Sequence, residues 1–450
     1  MTDTFKTASR RALLEGDRYL VLLAIVLLGY ALMGRGFAYF GFPPLYVGEI
    51  ALLTGIVVFL RTGALAASLT TLPCLVLGAL MVLVLARTIP FLSVYGFDSL
   101  RDSTIVMYGG FAFIVIGLLL EDARRINTVL RYYDILRVSF PAIFIGYLLT
   151  RFWSEYIPMS LGPGPIVDIT ASAVGTHLAG AMVFVLVGYP QISRVSPVWF
   201  LVWFATLAMV AATNRGATLA ALVPVMFAML MLGRLRQLLA AILTALSIFA
   251  IILAVEVSVT QSNKADRMTD RQVSAHQIVE NAKSIVGQSG QQNEGTKEWR
   301  LNWWSIIIND TVFGPFFWTG KGFGINLADA DGFDGPRSPS PLRSPHNAHM
   351  TMLARAGVPG LVLWSIVLIS WVGMQINAML SARARGHERW AELFLFIFCY
   401  AMSILINATF DVTLEGPMQG IWFWCLFGFG VGSVMVYRAQ HSDEIRTAAR

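Results

Sequence analysis

The sequence predicts an all-α polytopic membrane protein, and three observations lead to that class. The chain has 450 residues, of which 56% are hydrophobic and only 13% are charged. Its mean hydropathy is +0.64, and apolar runs long enough to cross a bilayer recur from one end to the other. A soluble protein of this length would carry about twice that charged fraction. We therefore attribute the net charge of +6 to membrane topology, and we expect a lipid bilayer and no nucleic acid among its partners.

The apolar runs predict about twelve transmembrane helices. They lie at residues 19–34, 44–60, 68–86, 104–120, 135–150, 170–188, 197–212, 216–232, 236–256, 350–375, 391–408 and 417–437. Basic residues set the orientation, because cytoplasmic loops of membrane proteins are enriched in Lys and Arg. With the N-terminus inside, eighteen basic residues fall in the inner segments, and the short outer loops hold five: Arg35, Arg87, Arg101, Arg151 and Arg215. This asymmetry predicts that both termini are cytoplasmic.

Three parts follow from this topology. Residues 1–256 form transmembrane helices 1–9, residues 257–349 form a long loop or subdomain on the outer side, and residues 350–450 form helices 10–12 with a cytoplasmic tail. Within the long loop, residues 271–286 and 297–313 have the pattern of short amphipathic helices, and residues 288–296 have the composition of a linker. Three tryptophans in the second amphipathic stretch favour anchoring at the membrane interface: Trp299, Trp303 and Trp304.

The same topology gathers unusual polar residues on the outer face. They are Arg215 between spans seven and eight, Arg300 in the long loop, His346 before span ten, and Asp411 with Glu415 between spans eleven and twelve. Two guanidinium groups suit a diphosphate, because their planar donors match phosphate oxygens and remain charged. A histidine suits proton transfer near neutral pH. The set points to group transfer from a lipid diphosphate to a hydroxyl acceptor at the membrane surface.

A short motif around the histidine carries a family resemblance. His346 and Asn347 are followed by nine residues and then by Gly357 and Gly360. This spacing resembles the H-[NSQ]-x9-G-x-x-G pattern of the bacterial O-antigen ligase family, whose superfamily also contains O-antigen and exopolysaccharide polymerases. Arg215 within Asn-Arg-Gly, the long late loop with an arginine and the twelve spans resemble the family as well. The resemblance is best over residues 200–437.

The resemblance implies an inverting, metal-independent glycosyltransferase of lipopolysaccharide biosynthesis that needs no cofactor. The donor would be a glycan linked to undecaprenyl diphosphate, and the acceptor a hydroxyl of a glycan or of lipid A-core. The protein would lie in the bacterial inner membrane, with its active site facing the periplasm. His346 would be the catalytic base, and Arg215 with Arg300 would bind the diphosphate. Other loop arginines compete for the place of Arg300: Arg267, Arg271, Arg337 and Arg343.

Four further residues are candidates for acceptor binding or for orienting the base: Asn347, His349, Asp411 and Glu415. Non-catalytic roles compete with these assignments. His346 could cap span ten within its proline-rich turn, and Arg300 could anchor the loop at the interface beside the tryptophans. Glu415 and Asp411 could be structural.

Two other functions stay open at this point. The first is an O-antigen or exopolysaccharide repeat-unit polymerase, which would use the same catalytic residues on another acceptor. The second is a secondary transporter or a flippase for lipid-linked glycans. Transporters place their ionisable groups near the bilayer midplane and often have repeated halves, whereas this chain places its charges at the outer face.

Overall fold

The chain is predominantly helical in a computed structural model that describes residues 2–188, 195–237, 239, 240, 243, 247, 291–333 and 342–442. In chain order the helices are α1 (Thr2–Met33), α2 (Arg35–Ala38), α3 (Val47–Thr62), α4 (Leu65–Ser68), α5 (Leu72–Thr88), α6 (Leu92–Tyr95), α7 (Phe97–Met107), α8 (Gly110–Glu121), α9 (Arg125–Phe152), α10 (Ala171–Val187), α11 (Pro197–Thr213), α12 (Arg215–Met231), α13 (Gln291–Thr311), α14 (Leu327–Ala330), α15 (Ala348–Ala384), α16 (Glu388–Ala408) and α17 (Pro417–Gln440). Two short antiparallel strands, β1 (Gly41–Phe42) and β2 (Leu45–Tyr46), form a hairpin after α2. The predicted helical membrane class is confirmed.

Six helices among the described residues are long and apolar enough to cross a membrane: α1 from Leu13, α5 continued through α6, α9, α15, α16 and α17. The pair α7 and α8, bent by 42°, would make a seventh. Helices α10, α11 and α12 are apolar but shorter, with 17 residues each. The predicted ninth span, 236–256, and the predicted amphipathic helix 271–286 lie largely or wholly outside the described residues. The count of twelve spans therefore stays a prediction.

The centre of the bundle is formed by α16 and α17. Their apolar windows are 83% and 94% buried, against 22–50% for the other candidate spans. Helix α17 packs on α8, and α16 packs on α10, α12 and α15. Helices α10 and α12 approach backbone to backbone, since a Cβ at Gly175 would lie 2.6 Å from the carbonyl oxygen of Ala217. Small residues allow such close approach where lipid gives little hydrophobic drive for helix association.

The part of the long loop 257–349 that the structure describes is folded against the bundle through α13. The predicted amphipathic helix 297–313 is present, but α13 already begins at Gln291, so the prediction of a linker over 288–296 is wrong from that residue onward. The interface prediction is wrong for Trp303, whose side chain is fully buried and whose Nε1 donates to Asp331 Oδ2 over 2.7 Å. Lys321 bridges the same carboxylate and Asp310. Trp303 is thus buried within the protein, where α13 packs on α15.

Helix α15 is interrupted at Gly357, the first glycine of the motif. Gly357 has φ 68° and ψ −169°, so the short segment before it and the long segment after it are two helices joined at a break. A Cβ at this position would lie 2.5 Å from the carbonyl oxygen of Phe317, which accepts a hydrogen bond from the Val358 amide over 2.8 Å. At 1.5 Å per residue the 37 residues of α15 span about 55 Å, which exceeds the roughly 30 Å of a bilayer core. Because Gly357 has no side chain, the segment around Phe317 can pack directly against α15.

Candidate active site

His346 lies in the turn that leads into α15, in an unusual backbone conformation. Its φ of 53° makes it the one non-glycine residue with positive φ in the part of the chain that the structure describes. Such a conformation costs about 1–3 kcal/mol and persists only where the surroundings enforce it. Here Trp304 Nε1 donates to the Pro345 carbonyl over 3.0 Å on one side, and Asn347 caps α15 on the other. The turn is therefore fixed on both sides of the histidine.

Asp411 faces the imidazole from the turn between α16 and α17. Its Oδ1 lies 3.4 Å from His346 Nδ1 and also accepts the Val412 amide over 2.9 Å, while its Oδ2 accepts a hydrogen bond from Ser172. Burial raises the pKa of the Asp411 carboxyl, but the hydrogen bonds from His346, Ser172 and Val412 outweigh burial, so this pKa lies below its usual value. An ionised carboxylate only accepts, so Nδ1 must carry the proton of a neutral His346. Nε2 then keeps its lone pair.

The pair remains accessible from outside. The side chains of His346 and Asp411 are 29% and 27% exposed. Trp299 lies beside the imidazole, with ring centroids 6.4 Å apart at 60°. A substrate can therefore reach the ring, with an indole beside it.

Arg300 extends from α13 to the same turn. Its Nη1 donates to the Phe410 carbonyl over 2.9 Å, one residue before Asp411. Because α13 also provides Trp304 to the Pro345 carbonyl, one helix holds both the guanidinium and the histidine turn. The structure thus brings Arg300 to the residue that precedes Asp411, the partner of the predicted base.

Arg215 is the first residue of α12, and the residue after it packs on Phe410. Asn214 precedes it as the N-cap, with its Oδ1 accepting the Ala217 amide over 3.0 Å. The next residue, Gly216, packs on Phe410, since a Cβ there would lie 2.8 Å from the Phe410 Cβ. Arg300 thus contacts Phe410 through its guanidinium, and Arg215 directly precedes the glycine that packs on Phe410.

Several helices begin at this site. Helix α10 brings Ser172 to Asp411, α12 begins at Arg215, α15 begins just after His346, and α17 begins just after Glu415. A helix start carries about half a positive elementary charge. The residues Arg215 and Arg300 add two full charges. This arrangement can hold a dianionic group.

The other candidate residues make mainly structural contacts. Asn347 Oδ1 accepts the amides of His349 and Met350 over 2.9 and 3.2 Å, as an N-cap does. His349 Nδ1 accepts from Trp364 Nε1 over 3.0 Å, within α15. The four candidates are thus separated by the structure, and Asp411 is the one that contacts the His346 ring.

Glu415 lies deeper in the same turn. Its Oε1 accepts from Thr351 over 2.8 Å, and burial raises the pKa of its carboxyl, partly offset by Arg355 and by hydrogen bonds from Thr351 and Ser344. Its contacts tie the turn to α15. They do not bring its carboxylate to the His346 ring nitrogens in any hydrogen bond within the described residues.

The other loop arginines that compete with Arg300 either bind elsewhere or lie outside the described residues. Arg343 forms ion pairs with Asp98 over 3.2 Å and with Asp102 over 3.1 Å, so its guanidinium is directed to these carboxylates. The remaining three lie outside the described residues: Arg267, Arg271 and Arg337. Of the two loop arginines that the structure describes, Arg300 is the one with a hydrogen bond to the turn that carries Asp411.

Two residues of this region escape sequence reasoning. Ser172 contacts Asp411 although 239 positions separate them, and a serine at the start of an apolar span gives no signal. Arg355 is buried and lies 2.9 Å from Asp102. A charged residue inside the predicted span 350–375 was a readable signal, because such residues are rare and usually paired.

Among the residues that the structure describes, no three or more His, Cys, Asp or Glu side chains are grouped so that they could hold a metal ion. The arrangement offers cations and a base instead.

A comparison with known protein families supports the resemblance found in the sequence. Residues 200–365 match the family model described as O-antigen ligase. The matched segment contains Arg215, Arg300, His346 and both motif glycines. The match confirms the resemblance and indicates a ligase- or polymerase-like function in a membrane protein. A comparison with curated proteins finds no match.

Proposed function

We propose that this chain, which belongs to the O-antigen ligase family, is a membrane glycosyltransferase that moves a glycan from undecaprenyl diphosphate to a hydroxyl group of lipid A-core. The reaction would take place on the periplasmic face of the bacterial inner membrane. The observation that supports it most is the His346–Asp411 pair next to Phe410, which Arg300 contacts and on which Gly216, the neighbour of Arg215, packs.

His346 is the general base in this proposal. Its Nδ1 proton is directed to Asp411, which leaves the Nε2 lone pair for the proton of the acceptor hydroxyl. Asp411 then stabilises the imidazolium that forms. A base placed in this way contributes about 10²–10⁴ in rate.

The cations serve the leaving group. As the bond between the anomeric carbon and the diphosphate oxygen breaks, negative charge gathers on the diphosphate. Arg215, Arg300 and the start of α12 would face that charge, and each preorganised donor of this kind contributes about 10²–10³ in rate. A diphosphate leaves as an anion, so no general acid is needed.

The bonds balance in one displacement step. The acceptor oxygen forms a bond to the anomeric carbon from the side opposite the diphosphate, its proton moves to His346 Nε2, and undecaprenyl diphosphate departs with the electron pair. The anomeric configuration is therefore inverted, and solvent takes the proton from the imidazolium afterwards. The step calls for no metal, because the guanidinium groups carry the charge stabilisation.

A repeat-unit polymerase would use the same groups and differ only in its acceptor. Profiling of a deletion strain separates the two. A ligase predicts that undecaprenyl-linked polymer accumulates and that lipid A-core stays uncapped. A polymerase predicts single repeat units in place of long chains. Single repeats would overturn the ligase assignment and keep the transferase chemistry.

The residue-level test is complementation of that strain. We expect the gene with His346→Ala to restore no capped lipopolysaccharide, although the protein is inserted at the wild-type level. His387→Ala is the matched control, because His387 follows the far end of α15 and contacts Tyr437. Full capping by His346→Ala would overturn the proposal. Movement of lipid-linked glycan across proteoliposomes that contain purified His346→Ala protein would support the transporter class instead.

A further inference from the structure

Ser172 completes a chain of hydrogen bonds that ends at the proposed base. It is the second residue of α10, after the N-cap Thr170, and its side chain is buried. Its hydroxyl contacts Asp411 Oδ2, while Asp411 Oδ1 faces His346 Nδ1. The two oxygens of one carboxylate thus hold a serine on one side and the imidazole on the other.

Asn214, at the end of the chain of hydrogen bonds farthest from His346, determines which group donates in each bond. Asn214 Oδ1 accepts the Ala217 amide, so the Asn214 amide group must point its Nδ2 away from α12. That Nδ2 lies 3.4 Å from Ser172 Oγ and can only donate to it. The Ser172 hydroxyl proton is then left for Asp411, which as a carboxylate can only accept. The sequence of donors runs from Asn214 through Ser172 to Asp411.

The backbone of Ser172 is anchored as well. Its carbonyl accepts a hydrogen bond from Asn407 Nδ2 over 3.1 Å, and both residues are buried. Asn407 belongs to α16, whose end leads directly into the turn that carries Asp411. Ser172 is therefore held beside the carboxylate by two residues from different parts of the chain. These are Asn214, the N-cap of α12, and Asn407 on α16.

We infer that Ser172 is a positioning residue for glycan transfer, an inference that rests on the proposed function. Its hydroxyl fixes Oδ2 of Asp411, and this prevents rotation of the carboxylate away from His346. The imidazole then keeps Nδ1 toward Asp411 and Nε2 toward the acceptor. Because Asn214 adjoins Arg215, the same chain links the position of the base to the start of the helix that carries a diphosphate ligand.

This role predicts a particular kinetic effect. Without the hydroxyl, the donor and the acceptor still meet the same arginines and loop surfaces, so KM changes little. The base is misoriented for much of the time, so kcat falls. Hydrogen bonds to charged groups support an expected loss of about 10- to 100-fold in kcat.

The experiment measures transfer by purified protein in proteoliposomes, with lipid-linked glycan isolated from the deletion strain as donor and uncapped lipopolysaccharide from the same strain as acceptor. Ser172→Ala is compared with Ser403→Ala, a buried serine whose hydroxyl donates to the Ala220 carbonyl on α12. We expect kcat to fall about 10- to 100-fold for Ser172→Ala with KM within about 3-fold. Ser403→Ala should stay within about 2-fold of wild type in both constants.

A double-mutant cycle with Asp411→Asn separates positioning from general stability. If Ser172 acts through Asp411, Ser172→Ala in the Asp411→Asn background should cost less than about 3-fold, since coupled residues are not additive. A full additional loss in that background would overturn the inference. So would a kcat for Ser172→Ala equal to wild type.

A second pair of variants decides the case even if Ser172→Ala fails to fold. Ser172→Thr and Ser172→Val have nearly the same shape, and only the threonine keeps a hydroxyl. We expect the threonine variant to exceed the valine variant at least about 5-fold in kcat, and equal values would overturn the inference. Activity of His346→Ala at the wild-type level would instead mean that the proposed function itself is wrong.

Discussion

At the scale of single residues, the backbone conformation of His346 marks the candidate site. His346 has a left-handed backbone that histidine adopts several-fold more readily than most residues but still at a cost. Sequence reasoning proposed His346, Arg215, Arg300 and Asp411 as site residues, because a short motif and the predicted topology place them on one face. It could not find Ser172, since contacts between distant helices leave no local pattern in an apolar span.

The carboxyl groups of Asp411 and Glu415 lie in one turn, and we expect their contributions to folding stability to change with pH in opposite directions. The pKa of Asp411 lies below its usual value despite burial, because His346, Ser172 and Val412 donate to it. Its ionised form therefore stabilises the fold above the unfolded pKa, and this contribution is lost as pH falls through the folded value. Burial raises the pKa of Glu415, even though Arg355, Thr351 and Ser344 act against it. Its ionised form therefore costs stability above the folded pKa.

Thermal unfolding in detergent checks this pair. At pH 7 we expect Asp411→Asn to melt below wild type and Glu415→Gln to melt at or above it. The deficit of Asp411→Asn should shrink below about pH 4, and the advantage of Glu415→Gln should vanish as the pH approaches the unfolded value of about 4.3. Equal destabilisation by both variants at neutral pH would contradict the opposite roles.

At the scale of elements, the site depends on how α13 and α15 are joined. Prediction of α13 as an amphipathic helix was correct, whereas placing Trp303 at the membrane interface was wrong. Composition shows that a tryptophan needs an apolar contact, but it does not show whether lipid or protein supplies that contact. The acceptor of the Trp303 indole is Asp331, 28 residues away. The break in α15 at Gly357 also escaped prediction, although the spacing of the motif contains it.

The two glycines at 357 and 373 of α15 give a matched test of that break. Gly357 has positive φ and no room for a Cβ, while a methyl group at Gly373 would have no neighbouring atom within 4 Å. We expect Gly357→Ala to destabilise the protein by at least about 2 kcal/mol, because a clash with Phe317 adds to the strain. Gly373→Ala should be neutral or stabilising by up to about 1 kcal/mol. Calorimetry of both variants would contradict this account if Gly357→Ala melted like wild type.

At the scale of the whole molecule, the arrangement of helix starts gives the site its electrostatic character. Helices α10, α12, α15 and α17 begin beside His346, Arg215 and Asp411, and their dipoles add to the two arginines. The hydropathy pattern and the distribution of basic residues predicted that these helix starts lie together on the outer side of the membrane. They could not predict which spans are neighbours, because lipid-facing and protein-facing apolar surfaces look alike in sequence. The burial of α16 and α17 is known only from the fold.

Orientation in the membrane can be tested with single cysteines. The three native cysteines, Cys74, Cys399 and Cys425, are buried, so background labelling should be low. Asn309 on α13 and Glu388 at the start of α16 are exposed. We expect a membrane-impermeant maleimide to label Asn309→Cys in intact spheroplasts and Glu388→Cys only after lysis. Labelling of Glu388→Cys from outside would contradict the predicted topology and the periplasmic site.

The central claim is that His346 is the base of glycan transfer, and chemical rescue tests it most directly. Glycine adopts positive φ without strain, so His346→Gly should keep the turn while it removes the imidazole. We expect purified His346→Gly protein to transfer glycan about 10²–10⁴ times more slowly than wild type, and added imidazole to restore part of the rate in proportion to its free-base concentration. A rate for His346→Gly within about 3-fold of wild type, without imidazole, would contradict the claim.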